Sequence, residues 1–294
     1  MTTMKKLLKI LLGLLVGIVI IGAGIQTYLL RGTRGVPLTK AAYRSDVHYS
    51  STPTILIPGW GGNTVTYQKL INYYQKRHIA QKTLTVWISP WGNIRVAGHL
   101  NKGDKNALIQ VLYDWNYDST FHPQVKQLSK ALTYLHDHYH LDRANVIAHS
   151  YGGTEFMHAY LSSPQLQKHL QLNKVVFLGV PVEESLSSRL NYHYHLIKHS
   201  RDKNFICLRK QAKEWQPTGK LTIYNFMGTK PGSTRTDGEV PLIQSEMLKS
   251  LVKDHPTIQY HQKVYSQTTH RQLHVIWNHW RKYYLDFIKC IFNY

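Results

Sequence analysis

Hydrophobic positions along this chain follow three rhythms, and each predicts a different kind of element. The first is an uncharged, largely apolar run from Ile10 to Leu30, preceded by Lys5, Lys6 and Lys9. At 1.5 Å rise per residue, a helix over this run is about 31 Å long, enough to cross the hydrocarbon core of a bilayer. It is apolar on every side, and only Gln26, Thr27 and Tyr28 near its far end carry polar groups. No A-x-A-like site follows, so an uncleaved signal anchor is favoured over a cleaved signal peptide. The lysines place the N-terminus inside and the bulk of the chain outside, a signal that Arg31 and Arg34 beyond the run weaken.

The second rhythm is a series of short apolar, β-branched runs closed by turn residues. These predict strands at Thr54–Pro58, Thr83–Ser89, Arg95–Gly98, Ala107–Tyr113, Asn145–Ala148, Lys174–Leu178, Lys220–Met227 and Pro256–Ser266. Arg95–Gly98 and Ala107–Tyr113 are close enough to pair as a hairpin. The third rhythm is helical. It runs through Thr64–His78, through Pro123–Tyr139 with Val125, Leu128, Leu132 and Leu135 on one face, through Tyr151–Leu161, and through Trp277–Phe292. Strands alternating with helices predict an α/β fold, a mostly parallel sheet flanked by helices and preceded by one N-terminal transmembrane helix. The expected organisation is an anchor at 1–30, a linker or stalk at 31–51, and one α/β domain at 52–294.

Composition narrows the classes. With 294 residues, 43% of them hydrophobic, the chain can bury a sizeable core and is too apolar to be disordered. Two cysteines, Cys207 and Cys290, exclude a disulfide-stapled scaffold and are expected to be free thiols. The 36 Lys and Arg against 16 Asp and Glu give a net charge of +20. That balance points to a nucleic-acid reader or to work beside an anionic surface. The basic residues are scattered, and no nucleic-acid-binding pattern organises them. With the apolar run at the N-terminus, a domain held near anionic lipid headgroups or cell-wall polyanions accounts for the charge.

The chemistry concentrates at Asn145-Val-Ile-Ala-His-Ser150-Tyr-Gly-Gly153. A serine on a sharp strand-to-helix turn needs small residues two before and two after it, and Ala148 and Gly152 meet that need. Such a turn lifts the hydroxyl above the sheet and aims a helix N-terminus at it. A serine N-cap on an ordinary helix is the plainer reading of the same residues. Downstream, Asp237 follows a predicted strand in Thr236-Asp-Gly-Glu-Val-Pro241, where a D-G pair is also a common turn. After the last predicted strand comes His270-Arg-Gln-Leu273-His274, and either histidine is placed to act as a general base.

The stretches Ile57-Pro-Gly-Trp-Gly-Gly62, Ala148-His-Ser-Tyr-Gly-Gly153, Thr236–Pro241 and His270–His274 together resemble the α/β-hydrolases, and more narrowly the membrane-anchored cell-surface hydrolases of Gram-positive bacteria. The resemblance covers the chain from about residue 52 onward. It implies Ser150 as nucleophile, His270 as general base and acid, and Asp237 as the group that orients the imidazole. It favours His270 over His274 because Leu273 stands three residues after His270. By position, the backbone N–H groups of Trp60 and Tyr151 are expected to form the oxyanion hole. The departures are Ala148 in place of the usual Gly, Pro58 where many members carry a His before the Gly, and the apolar Val180-Pro181-Val182.

The reading is therefore a membrane-anchored serine hydrolase acting on small-molecule or lipid-like esters, with thioester hydrolysis or transacylation within reach of the same residues. It is expected at the cell membrane with a single span and an extracytoplasmic catalytic domain, without nucleic acid, cofactor or metal. The alternative is a non-catalytic surface protein on a hydrolase scaffold that uses its basic face to hold polyanions. His195 and His199, four residues apart, suggest a metal pair that no nearby carboxylate supports. The stretch 183–217 lies where the superfamily inserts a cap over the site.

Overall fold

A computed structural model describes residues 2–182, 202–274 and 290–292. Helix α1 (Thr2–Leu29) holds the apolar run and is exposed along almost its whole length. Eight strands follow: β1 (Thr54–Ile57), β2 (Gln81–Ile88), β3 (Ile94–Gly98), β4 (Ala107–Tyr113), β5 (Arg143–His149), β6 (Gln171–Leu178), β7 (Leu221–Gly228) and β8 (Ile258–Tyr265). They form one sheet in the order β3-β2-β4-β1-β5-β6-β7-β8, parallel except for β3.

The alternation of side chains along each strand fills two cores. Ile55, Ile57, Val146 and Ala148 point to one face, where α3 (His122–Tyr139) and α4 (Tyr151–Leu161) cover them. Leu56, Ile147 and Val176 point to the other, against Tyr67, Ile71 and Tyr74 of α2 (Thr64–Lys76) and against Ile291 and Phe292. The central strands are fully buried, which is why they read as continuous apolar runs.

One pairing differs from expectation. Ile94–Gly98 does not form a hairpin with Ala107–Tyr113. It folds back antiparallel on β2, Ile88 opposite Ile94, across a turn in which Gly92 takes φ +80°. Burial explains the choice: β4 is buried at every position and sits inside the sheet, whereas β3 alternates between half-buried and exposed and closes its edge. Of the predicted last helix, Cys290–Phe292 are described and helical. The thiols are free, Cys207 exposed and Cys290 buried.

Of the cap stretch, 183–201 lie outside the described residues, as do His195 and His199. Lys203–Glu214 forms a helix, α6, after the short α5 (Pro164–His169). Its Phe205, Leu208 and Ala212 belong to the core under the sheet, so this part of the stretch is a layer of the fold.

The stretch expected to link anchor and domain is tied to the sheet and to α2 by glutamine side chains. Gln110 Oε1 accepts from the Thr33 amide (2.8 Å), Gln75 Oε1 from Val36 (2.6 Å) and Gln81 Oε1 from Leu38 (3.0 Å). Trp87 Nε1 donates to the Leu30 carbonyl (2.6 Å) and Gln26 Nε2 to that of Asp114 (2.9 Å).

Candidate active site

Parallel strands present their carboxyl ends on one edge of the sheet, and the sequence-predicted site residues gather there. Ser150 follows β5 directly and caps α4 with φ +53° and ψ −134°, a conformation that L residues rarely hold. Its amide donates to Leu178 O at the end of β6 (3.0 Å), which fixes the turn against the next strand. Gly152 lies under the carbonyls of Ile57 and Pro58, where a Cβ would collide with backbone.

The loop after β1 passes over the serine. A Cβ at Gly59 would stand 2.6 Å from Ser150 Cβ and 3.3 Å from its Oγ, so only glycine allows this approach. Asn116, which sequence reasoning did not single out, holds the loop on both sides. Its Nδ2 donates to Gly59 O (2.7 Å) and its carbonyl accepts from Gly61 N (2.6 Å). Nothing in Trp115-Asn116-Tyr117 signals this, because the contact exists only once β1 and β4 are neighbours. Among the described residues, no hydrogen bond uses the Trp60 amide. The Tyr151 amide lies one residue past Ser150, in the first turn of α4.

Asp237 and His270 arrive from the loops after β7 and β8. His270 Nδ1 stands 2.7 Å from Asp237 Oδ2, and both side chains are almost fully buried. The other carboxylate oxygen, Oδ1, accepts the amides of Glu239 (3.0 Å) and Val240 (2.7 Å). A carboxylate so placed accepts the proton on Nδ1, leaving Nε2 as the free lone pair. Nε2 lies 3.9 Å from Glu239 Oε2. Gly179, at φ +56°, borders the pair: a Cβ there would be 3.0 Å from Asp237 Oδ2 and 3.1 Å from His270 Nδ1. Among the described residues, no hydrogen bond joins Ser150 Oγ to His270.

His274 is placed differently. Its Nδ1 donates to the Thr66 carbonyl of α2 (2.8 Å), and its ring stands edge-on to that of His149, centroids 4.3 Å apart. His149, the residue before Ser150, packs on His270 at 4.5 Å and directs Nε2 to the His270 carbonyl (3.3 Å). Burial is the main reason the His274 pKa falls to about 4, with His270 and Arg271 adding repulsion. Burial also pushes His149 well below its ordinary value, and neighbouring His274 and His270 disfavour its protonation further. Two neutral imidazoles thus brace the third. Among the described residues, no group of three or more His, Cys, Asp or Glu could hold a metal ion.

Comparison with known proteins agrees with this architecture. Residues 41–280 match the family described as alpha/beta hydrolases of unknown function (DUF915). The structure of the lin2722 product of Listeria innocua superposes with a TM-score of 0.68 at 21% identity, covering 82% of this chain and 94% of that one. A candidate cell surface hydrolase from Lactobacillus plantarum WCFS1 superposes with a TM-score of 0.60 at 18% identity, covering 81% and 95%. No curated protein matches the sequence. With the family match spanning most of the chain and the sheet order and site edge described above, the chain belongs to this family of alpha/beta hydrolases.

Proposed function

We propose that the protein is a membrane-anchored serine hydrolase that cleaves carboxylic esters through an acyl-enzyme. The observation that carries this reading is the buried pair of His270 and Asp237, 2.7 Å apart, on the same sheet edge as the Ser150 turn. On binding of an ester, the Ser150 hydroxyl turns toward His270 Nε2 and attacks the carbonyl carbon, and Nε2 takes its proton. The Trp60 and Tyr151 amides receive the oxyanion, a type of contact in which one donor lowers the barrier by about 3–4 kcal/mol. The C–O bond then breaks, and the alcohol leaves with the proton from Nε2. Water, deprotonated by the same nitrogen, attacks the acyl-serine and frees the acid. Asp237 holds the tautomer and offsets the imidazolium charge, with two amides keeping its carboxylate in place.

The anchor reading rests on α1, where the most apolar 18-residue window within Met4–Leu29 has a mean hydropathy of 2.6. The domain from residue 52 onward is expected on the outer side. A fluorophosphonate probe tests the reading. Wild-type protein in detergent is labelled and Ser150→Ala is not. A folded wild type that resists labelling leaves the alternative, a surface protein that holds polyanions through its basic face.

A further inference from the structure

The same sheet edge carries a second set of features that the hydrolase reading does not use. Four large aromatic side chains are exposed in the loops at the carboxyl ends of β1, β2 and β4. Trp91 is 80% exposed, Trp115 52%, Trp60 47% and Tyr117 40%. Three of them form a continuous strip, with ring centroids 5.2 Å apart for Trp115 and Tyr117 and 5.7 Å for Tyr117 and Trp60. Isolated exposed aromatics need no explanation, but a strip of Trp and Tyr on one edge has the composition of a membrane interface.

The anchor helix leaves at this edge too. Gln26 Nε2 bonds the Asp114 carbonyl at the end of β4, next to Trp115. Trp87 Nε1 bonds the Leu30 carbonyl from near the carboxyl end of β2. If Lys9 marks the inner boundary of the hydrocarbon, about 20 residues of helix reach the outer one near Leu29. Gln26, bonded to the Asp114 carbonyl, is within one turn of that level, so Asp114 and Trp115 sit at the boundary between hydrocarbon and headgroups. From Trp115 the strip leads through Tyr117 to Trp60, and Trp60 adjoins Gly59, whose missing Cβ makes room for Ser150 Oγ. Beside Trp91 opens a cleft of about 480 Å³ lined by His122, Lys126 and Lys130, with no acidic residue among its lining. Its charge suits an anionic headgroup.

We infer that the catalytic edge rests on the leaflet from which the protein's own helix emerges, and that the ester reaches Ser150 out of that leaflet. The substrate class is then an acyl ester of a membrane-resident amphiphile with an anionic headgroup nearby, not a freely dissolved ester. This rests on the hydrolase and anchor readings above, and the experiment keeps them apart.

The full chain carrying Cys207→Ser is reconstituted in phosphatidylglycerol–phosphatidylcholine vesicles and labelled with a nitrobenzoxadiazole dye at Trp91→Cys, Trp115→Cys or Lys102→Cys. Lys102 lies in the loop entering β4, on the opposite edge of the sheet. Dyes at 91 and 115 are expected to be quenched by lipid-borne nitroxide and shielded from aqueous iodide by about threefold or more relative to 102, as interfacial depth requires. Equal iodide quenching at all three sites overturns the docking. In a second arm, turnover of p-nitrophenyl palmitate carried in the vesicles is compared with that of dissolved p-nitrophenyl butyrate. In the Trp91→Ser/Trp115→Ser double variant, the ratio of the two rates is expected to fall about tenfold, as loss of two interfacial aromatics implies. An unchanged ratio overturns the substrate assignment. Fluorophosphonate labelling of Ser150 in the same vesicles reports the hydrolase reading separately. If it fails, the substrate assignment falls with it, while dye depth still decides the docking.

Discussion

His270 reaches Asp237 through its side chain and its backbone at once: Nδ1 meets Oδ2 at 2.7 Å, and the His270 amide donates to the Asp237 carbonyl at 2.9 Å. The backbone bond fixes where the two loops meet, and the side-chain bond fixes the tautomer. Replacing Asp237 by Asn keeps the shape and removes the charge. Ester turnover is then expected to fall by roughly 10³–10⁴-fold, with the fold retained by circular dichroism. A loss smaller than about tenfold removes Asp237 from the mechanism.

The two neighbouring histidines are separable by substitution. His270→Ala is expected to abolish turnover, whereas His274→Ala, whose partner is the Thr66 carbonyl, only reduces it by loosening the loop against α2. Steady-state rates on one soluble ester decide the matter, and the reverse outcome transfers the role of base to His274.

Buried neutral histidines also make stability depend on pH. The His274 pKa is about 4 in the folded chain against 6.5 for an ordinary imidazole, so between these values the unfolded chain binds more protons. Stability is therefore full above pH 6.5 and declines as pH falls toward 4, on the order of 3 kcal/mol from His274 alone. His149 shifts in the same direction and adds to the decline. Urea melts at pH 7 and pH 4.5 measure it. The His274→Gln variant should show a visibly flatter dependence, and an equally steep one contradicts the assignment.

Asn116 supports the loop that carries Trp60. Its side chain bonds the Gly59 carbonyl, so Asn116→Ala leaves that loop held from one side only. The kcat is expected to drop about tenfold with KM nearly unchanged, as for a contact that matters in the transition state. A rise in KM alone indicates a role in substrate binding.

Sequence patterning made the sheet legible where burial is simple. The runs ending in Ile57 and Tyr113 are apolar at nearly every position because helices cover both faces, and those of β5 and β6 are apolar at Val146–Ala148 and Val175–Leu178. The pairing of Ile94–Gly98 was not legible, since its partner is chosen by which neighbouring strand must be buried. Ser150 and Gly152 were readable because the turn restricts residue type locally. The resemblance favoured His270 through Leu273, but the different surroundings of His270 and His274 were not readable from their own residues. Asp237 stands opposite one ring and Thr66 O opposite the other. Asn116, Gly59 and Gly179 acquire their roles only through contacts across the sheet edge.

The glutamine ties of residues 33–38 bear on how the α/β domain would be released from a membrane anchor. Gln110 is fully buried in β4 and pairs with the Thr33 amide, and Gln75 takes its bond from Val36. Shedding by a protease that cuts near Leu30 frees a domain with these bonds intact. A cut beyond Leu38 strips a buried carboxamide of its partner, at about 1–3 kcal/mol for such a group. A soluble form that begins at Arg31 should thus melt at a higher temperature than one that begins at Thr39, although the two differ only in a stretch with no regular secondary structure.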